Sequence, residues 1–192
     1  VYADSPMALK ALSFYRDAIN ESSAEIRPEI AATWKGRDPF DSGNLTELMT
    51  VEESMSVNTP PAPCIIISAS GMGTGGRVVH HLRFMLPVAK NTVIMVGYQA
   101  VGTRGRSLVD GAEEVKMHGE MVPVRAKIAN IQAFSVHADG DEMFEWVTKA
   151  TEKPGTVFVV HGEAGAADAL GDRFKAAGWN AKVPTDASSF TF

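Results

Sequence analysis

The sequence predicts an α/β fold with a mainly parallel sheet flanked by helices. Three observations carry that expectation. Apolar runs of strand length recur at residues 65–67, 92–96, 128–134 and 156–160. Each ends in a loop rich in glycine, hydroxyl or histidine side chains, and a helical pattern follows each loop. The runs are too far apart for tight hairpins, so crossovers between parallel strands are expected. In the stretch 129–163, strand, helix and strand read as one βαβ unit, with His137 and His161 at the carboxyl ends of its two strands, facing one crevice if those strands are neighbours.

In chain order, Val1, Tyr2 and Ala3 read as the tail of a strand. Asp4-Ser5-Pro6 then supplies a capping residue and a first-turn proline, and Ala8, Leu12, Tyr15 and Ile19 share one helical face. Residues 20–43 lose that pattern, and a short helix is expected at 28–34. Residues 45–49 suit a short strand and 51–57 a short helix. Ile65, Ile66 and Ile67 read as a fully buried strand, opened by a buried Cys64. A helix over 77–86 and a buried strand over 92–96 extend this into another βαβ unit. Residues 115–118 and 121–124 flank Gly119-Glu120 as a hairpin. A last helix over 164–177 is stopped by Gly178, and 181–183 form a final short strand.

The 192 residues suffice for one large domain or two small ones. No apolar run has the length of a membrane span, and no signal peptide is visible. A lone cysteine excludes an intrachain disulfide and fits a reducing, cytoplasmic setting. Because the first residue is Val1 and falls within a strand pattern, the chain reads as part of a longer one. The net charge of -5 argues against a generally polyanion-coated surface, yet its distribution is uneven. Residues 1–60 carry net -5, residues 61–135 net +4 and residues 136–192 net -4. The basic excess coincides with the glycine-rich loops.

Five histidines are present, without HxH, HExxH or CxxC spacing, so no four-ligand zinc site assembles from local motifs. His137 suits a general acid or phosphate contact, and equally a polar residue at a helix start. Asp139 with Glu142 makes a capping box, which favours a cap over a catalytic acid. His161 suits a metal ligand, and equally a hydrogen-bonded imidazole at a strand end. Glu163 reads as a first-turn helix charge. Adjacent His80 and His81 fall on different helix faces, one packed and one at the surface, and His118 reads as structural.

The loop 68–76 offers free amides at a helix start, which is anion-binding chemistry, and is equally a tight strand-to-helix turn. It has neither a Walker Gly-Lys-Ser/Thr nor the first glycine of a GxSxG elbow. Gly102-Thr103-Arg104-Gly105-Arg106 adds two guanidiniums, a phosphate clamp or a solvated pair.

The strings ADSPMA, SASGMGTGGRVVHHL, VGYQAVGTRGRSL, FSVHAD and VHGE occur in this order. In that order they resemble RNA-processing β-CASP proteins of the metallo-β-lactamase superfamily. The resemblance implies zinc-dependent ribonucleases, with a β-CASP domain inserted into an αββα sandwich and RNA running between them. It implies that residues 1–110 are most of the β-CASP domain and 111–192 the C-terminal part of the lactamase domain. His137 matches a catalytic histidine near the scissile phosphate, and His161 a zinc ligand. Ser68, Ser70, Gly71, Met72, Arg104, Arg106 and Ser135 match positions that hold the RNA backbone. The family's HxHxDH signature is not among these residues, which implies an inactive fragment whose two-zinc site is absent or incomplete. RNA is the implied partner, a homodimer is an implied assembly, and no membrane partner is expected. Two rival readings remain: a non-catalytic RNA-binding module using the same loops, and an unrelated α/β hydrolase or nucleotide binder.

Overall fold

The computed structural model describes every residue except 42, 135, 136, 191 and 192. It comprises two compact units, Val1–Phe134 and Ser135–Phe192.

The first unit opens with β1 (Tyr2–Asp4), α1 (Pro6–Asn20), α2 (Pro28–Trp34), β2 (Thr46–Glu47), α3 (Val51–Ser56) and β3 (Ile66–Ser68). Ser5 caps α1 by accepting from the Ala8 amide, and Pro6 occupies its first turn, as the sequence predicts. Thr50 and Glu53 close a reciprocal capping box on α3. The three strands form a parallel sheet in the order β2-β1-β3.

There follow α4 (Arg77–Met85), β4 (Thr92–Val96), α5 (Arg104–Val109), β5 (Glu114–Met117), β6 (Glu120–Pro123) and β7 (Lys127–Ile131). β4 and β7 pair in parallel, with Thr92 opposite Lys127. β5 and β6 form the expected hairpin around a two-residue turn, His118-Gly119, both at positive φ. Val79 and Leu82 from α4, with Leu86 at its C-cap, meet Met95, Leu108, Val115, Met117 and Val122 in the main core. The end of α4 is held because the Arg125 and Ala126 amides both donate to the Leu86 carbonyl.

The second unit contains α6 (Gly140–Thr148), β8 (Val157–Phe158), α7 (Ala164–Ala176) and β9 (Ala181–Lys182). Asp139 and Glu142 form the expected capping box on α6. β8 and β9 pair in parallel across α7, so the βαβ unit here is β8-α7-β9. Phe174 is buried between Phe144 and Trp179, with ring centroids 5.0 and 6.3 Å away. Among the described residues, no helix is long and apolar enough to cross a membrane.

Three expectations are corrected. β7 pairs with β4 and β8 with β9, so the strands preceding His137 and His161 do not pair as one βαβ unit among the described residues. β3 and β4 likewise lie in separate sheets. Hydrophobic periodicity specifies which face of a strand is apolar, and says nothing about its hydrogen-bonding partner. Finally, the run after Cys64 is not buried: Cys64 is exposed, and Ile65 and Ile67 are 62% and 57% exposed. β3 lies at a sheet edge with one face uncovered. β4 shows the same alternation, with Met95 buried and Ile94 and Val96 exposed.

Candidate nucleic-acid interface

Two loops at strand carboxyl ends meet in the first unit. One, residues 68–76, joins β3 to α4; the other, residues 97–103, joins β4 to α5. The Gly105 amide donates to the Met72 carbonyl at 2.8 Å. Gln99 Nε2 donates to the Gly71 carbonyl at 3.2 Å and to the Gly97 carbonyl at 3.3 Å. Arg104 donates through one terminal nitrogen to the Gly73 carbonyl and through Nε to the Lys116 carbonyl. Gly105 is required by this closeness. A Cβ there would overlap Gln99 Oε1 and lie 2.7 Å from Met95 Cε. Within the first loop, Ser70 and Thr74 hydroxyls pair at 3.1 Å, and the Gly73 amide donates to the Ser70 carbonyl.

Beneath that loop is a buried polar hub. Asp4, fully buried at the end of β1, accepts from Ser54 Oγ at 2.5 Å, His81 Nε2 at 2.6 Å and Arg77 at 2.6 Å. Arg77 also donates to the Leu48 and Met49 carbonyls, and His81 Nδ1 lies 2.8 Å from Asn58 Oδ1. Ser68 Oγ donates to the Asp4 carbonyl at 2.8 Å, tying the loop's first residue to the hub. Burial alone would push the Asp4 carboxyl up. The hydrogen bonds from Ser54, His81 and Arg77, with the Arg77 charge, outweigh it and hold the carboxyl below its ordinary value.

The structure thus brings Ser68, Ser70, Gly71, Met72 and Arg104 together. Arg106, on the same short helix, directs Nε to the Asp110 carboxylate at 2.8 and 2.9 Å. His137 and His161 belong to the second unit, and both are exposed. His161 stands at a φ of 64° in the bend after β8. Gly162 follows it because a Cβ would come within 3.1 Å of Ala167 on α7. Ser135 lies outside the described residues. Among the described residues, no group of three or more His, Cys, Asp or Glu side chains is placed to hold a metal ion. The imidazole at 161 is therefore not joined by further ligands into a four-ligand zinc site among the described residues.

Sequence reasoning missed the hub and the interlock. Asp4 was legible only as part of a helix start and of the string ADSPMA, and His81 only as one of an adjacent pair with one packed member. Gln99 and Gly105 were legible only within the string VGYQAVGTRGRSL, whose spacing does not identify the buried amide or the close approach.

Comparison with known proteins matches two domain models in chain order, the second of which starts within the first structural unit. Residues 1–108 match the Beta-Casp domain model, and residues 121–184 match the Zn-dependent metallo-hydrolase RNA specificity domain model. The chain is 34% identical over 171 residues to Ribonuclease TTHA0252 of Thermus thermophilus, covering 89% of this chain and 38% of that protein. It is 35% identical over 164 residues to the RNase J-like protein of Methanocaldococcus jannaschii, covering 85% and 35%. To transcription termination factor FttA of Pyrococcus abyssi it is 32% identical over 170 residues, covering 83% and 26%. The chain thus spans between 26% and 38% of the length of these curated relatives. With both models matched in order and relatives above 30% identity, the chain belongs to the β-CASP family of metallo-β-lactamase-superfamily nucleases.

Proposed function

We propose that the whole protein hydrolyses RNA phosphodiester bonds, and that this chain supplies the surface that holds the RNA backbone. The observation that carries the reading is the union of the two loops into one hydrogen-bonded surface in the region of net charge +4. Relatives named as ribonucleases and the RNA specificity model support RNA as the polymer. Ser68, Ser70, Gly71 and Met72, with Arg106 and Ser135, form the backbone-holding set, and Arg104 belongs to it through the Gly73 and Lys116 carbonyls that it holds. His137 donates a proton to the departing oxygen. His161 contributes one ligand to zinc, whose other ligands are not assembled by these described residues. The 192 residues alone are proposed to be inactive, because they contain no HxHxDH ligands. Residues 1–110 are assigned to the β-CASP domain and 111–192 to the lactamase domain, in a cytoplasmic protein that pairs as a homodimer.

The test is made on the whole protein with a labelled RNA oligonucleotide. His161→Ala is expected to lower zinc content, whereas His137→Ala keeps zinc in place and slows cleavage. Equal zinc loss in both variants refutes the division of roles. The rival reading is RNA gripping by the same two loops without cleavage, carried by the same hydrogen-bonded loop surface. RNA binding by the whole protein with no stoichiometric zinc and no cleavage selects it.

A further inference from the structure

We infer that Arg104 and Gln99 are positioning residues, which fix the 68–76 loop for an RNA backbone without themselves binding phosphate. This rests on the reading of that loop as RNA-holding. The carbonyls of Gly71, Met72 and Gly73, three in succession, all accept from the second loop and the start of α5. In a trans peptide the carbonyl and the following N–H point in opposite directions. Turning these carbonyls toward α5 therefore turns the amides of Met72 and Thr74 the other way. Such outward amides carry partial positive charge and form an anion-holding concavity.

The guanidinium suits this task because its planar fork reaches two carbonyls at once. One arm holds Gly73 and Nε holds Lys116 at 2.8 Å, so Arg104 joins the loop to the β5–β6 hairpin. An ammonium on a flexible stem holds one such carbonyl as a point charge and cannot fix both planes. Gln99 reinforces the argument. It is only 5% exposed, so it cannot touch RNA, yet its amide nitrogen fixes Gly71.

The experiment measures affinity of the full-length protein for a single-stranded RNA oligonucleotide across a salt series. Active fraction is determined for each variant, so that Kd refers to folded protein. Removing one cation that neutralises a phosphate of single-stranded RNA lowers the log–log salt slope by about 0.7. Arg104→Ala, Arg104→Lys and Gln99→Ala are each expected to weaken binding roughly tenfold, equivalent to about 1.4 kcal/mol, with the wild-type slope retained. Arg106→Ala is the comparison variant and is expected to lower the slope. Near-wild-type affinity in Arg104→Lys, with a reduced slope in Arg104→Ala, makes Arg104 a direct phosphate ligand. That overturns the inference and leaves the RNA reading intact. Unchanged affinity in all three variants, with weakening in Arg106→Ala or Ser70→Ala, has the same consequence. Unchanged affinity in every variant of both loops removes the RNA-holding reading itself. Should the Arg104 variants fail to fold, Gln99→Ala decides alone, because a buried neutral side chain reaches RNA affinity only through the loops it holds.

Discussion

Replacing Asp4 by asparagine keeps the shape of the buried hub and removes its charge. The native carboxylate accepts from Ser54, His81 and Arg77, and all three bonds are 2.5–2.6 Å. Asparagine turns one acceptor oxygen into a donor facing those donors, and it leaves the largely buried Arg77 guanidinium without its counter-charge. Breaking a buried ion pair by removing one partner costs about 3–5 kcal/mol. With a urea m-value of about 2 kcal/mol/M, the unfolding midpoint should fall by roughly 1.5–2.5 M. Trp34 reports on the first unit, so the measurement is fluorescence in a background where Trp146 and Trp179 are replaced by Phe. Ser54→Ala removes one hydrogen bond to a charged acceptor and should cost less, about 1.5–3 kcal/mol. The pH dependence has a fixed sign. The folded carboxyl titrates below its ordinary value, so its stabilisation is complete above the unfolded value, near 3.9, and is lost as pH falls through the lower folded one. The gap between wild type and Asp4→Asn should therefore narrow below about pH 4. A midpoint shift under about 0.5 M at neutral pH would refute the assignment of Asp4 as the charged centre of the hub.

Gly105→Ala should destabilise the first unit by about 1–3 kcal/mol through overpacking against Gln99 and Met95. Combining it with Gln99→Ala should recover part of that loss in urea unfolding, and full additivity would contradict the interlock. Thr50→Ala removes the cap of α3 and should cost about 1 kcal/mol by the same assay. Phe174→Ala should cost about 3–5 kcal/mol, read as lost amide protection in α7 and β9 by hydrogen exchange.

Much of the local structure was legible in the sequence because its causes are local. Ser5-Pro6 and the Asp139–Glu142 pair declared helix starts, and Gly178, at a φ of 79°, declared a helix end. The hairpin was recognisable from a glycine between two apolar runs, although its turn is His118-Gly119, one position earlier than spacing suggested. Pairing was not legible. The runs at 128–134 and 156–160 have the composition of neighbouring strands, yet their partners lie elsewhere in the sequence. Burial failed at Ile65 and Ile67 for a related reason: composition cannot distinguish a strand covered on both faces from an edge strand covered on one. At the candidate site, the loops were visible through glycine and hydroxyl content. The residues that hold them, Asp4, Gln99 and Arg104, act through tertiary hydrogen bonds to or from the backbone, which leave no periodic trace.

The pairing of Thr92 with Lys127 closes a segment thirty-five positions long, and that segment contains both α5 and the β5–β6 hairpin. An isolated hairpin closes in roughly 1–10 μs, well before a parallel pair separated by this much chain. Once formed, it removes residues from the flexible span, and each halving of that span saves only about 0.6 kcal/mol of closure entropy. Connectivity predicts the order of assembly: the local turn condenses first and β7 docks on β4 afterwards, which pulse-labelled hydrogen exchange would show as earlier protection of β5 and β6 than of β7.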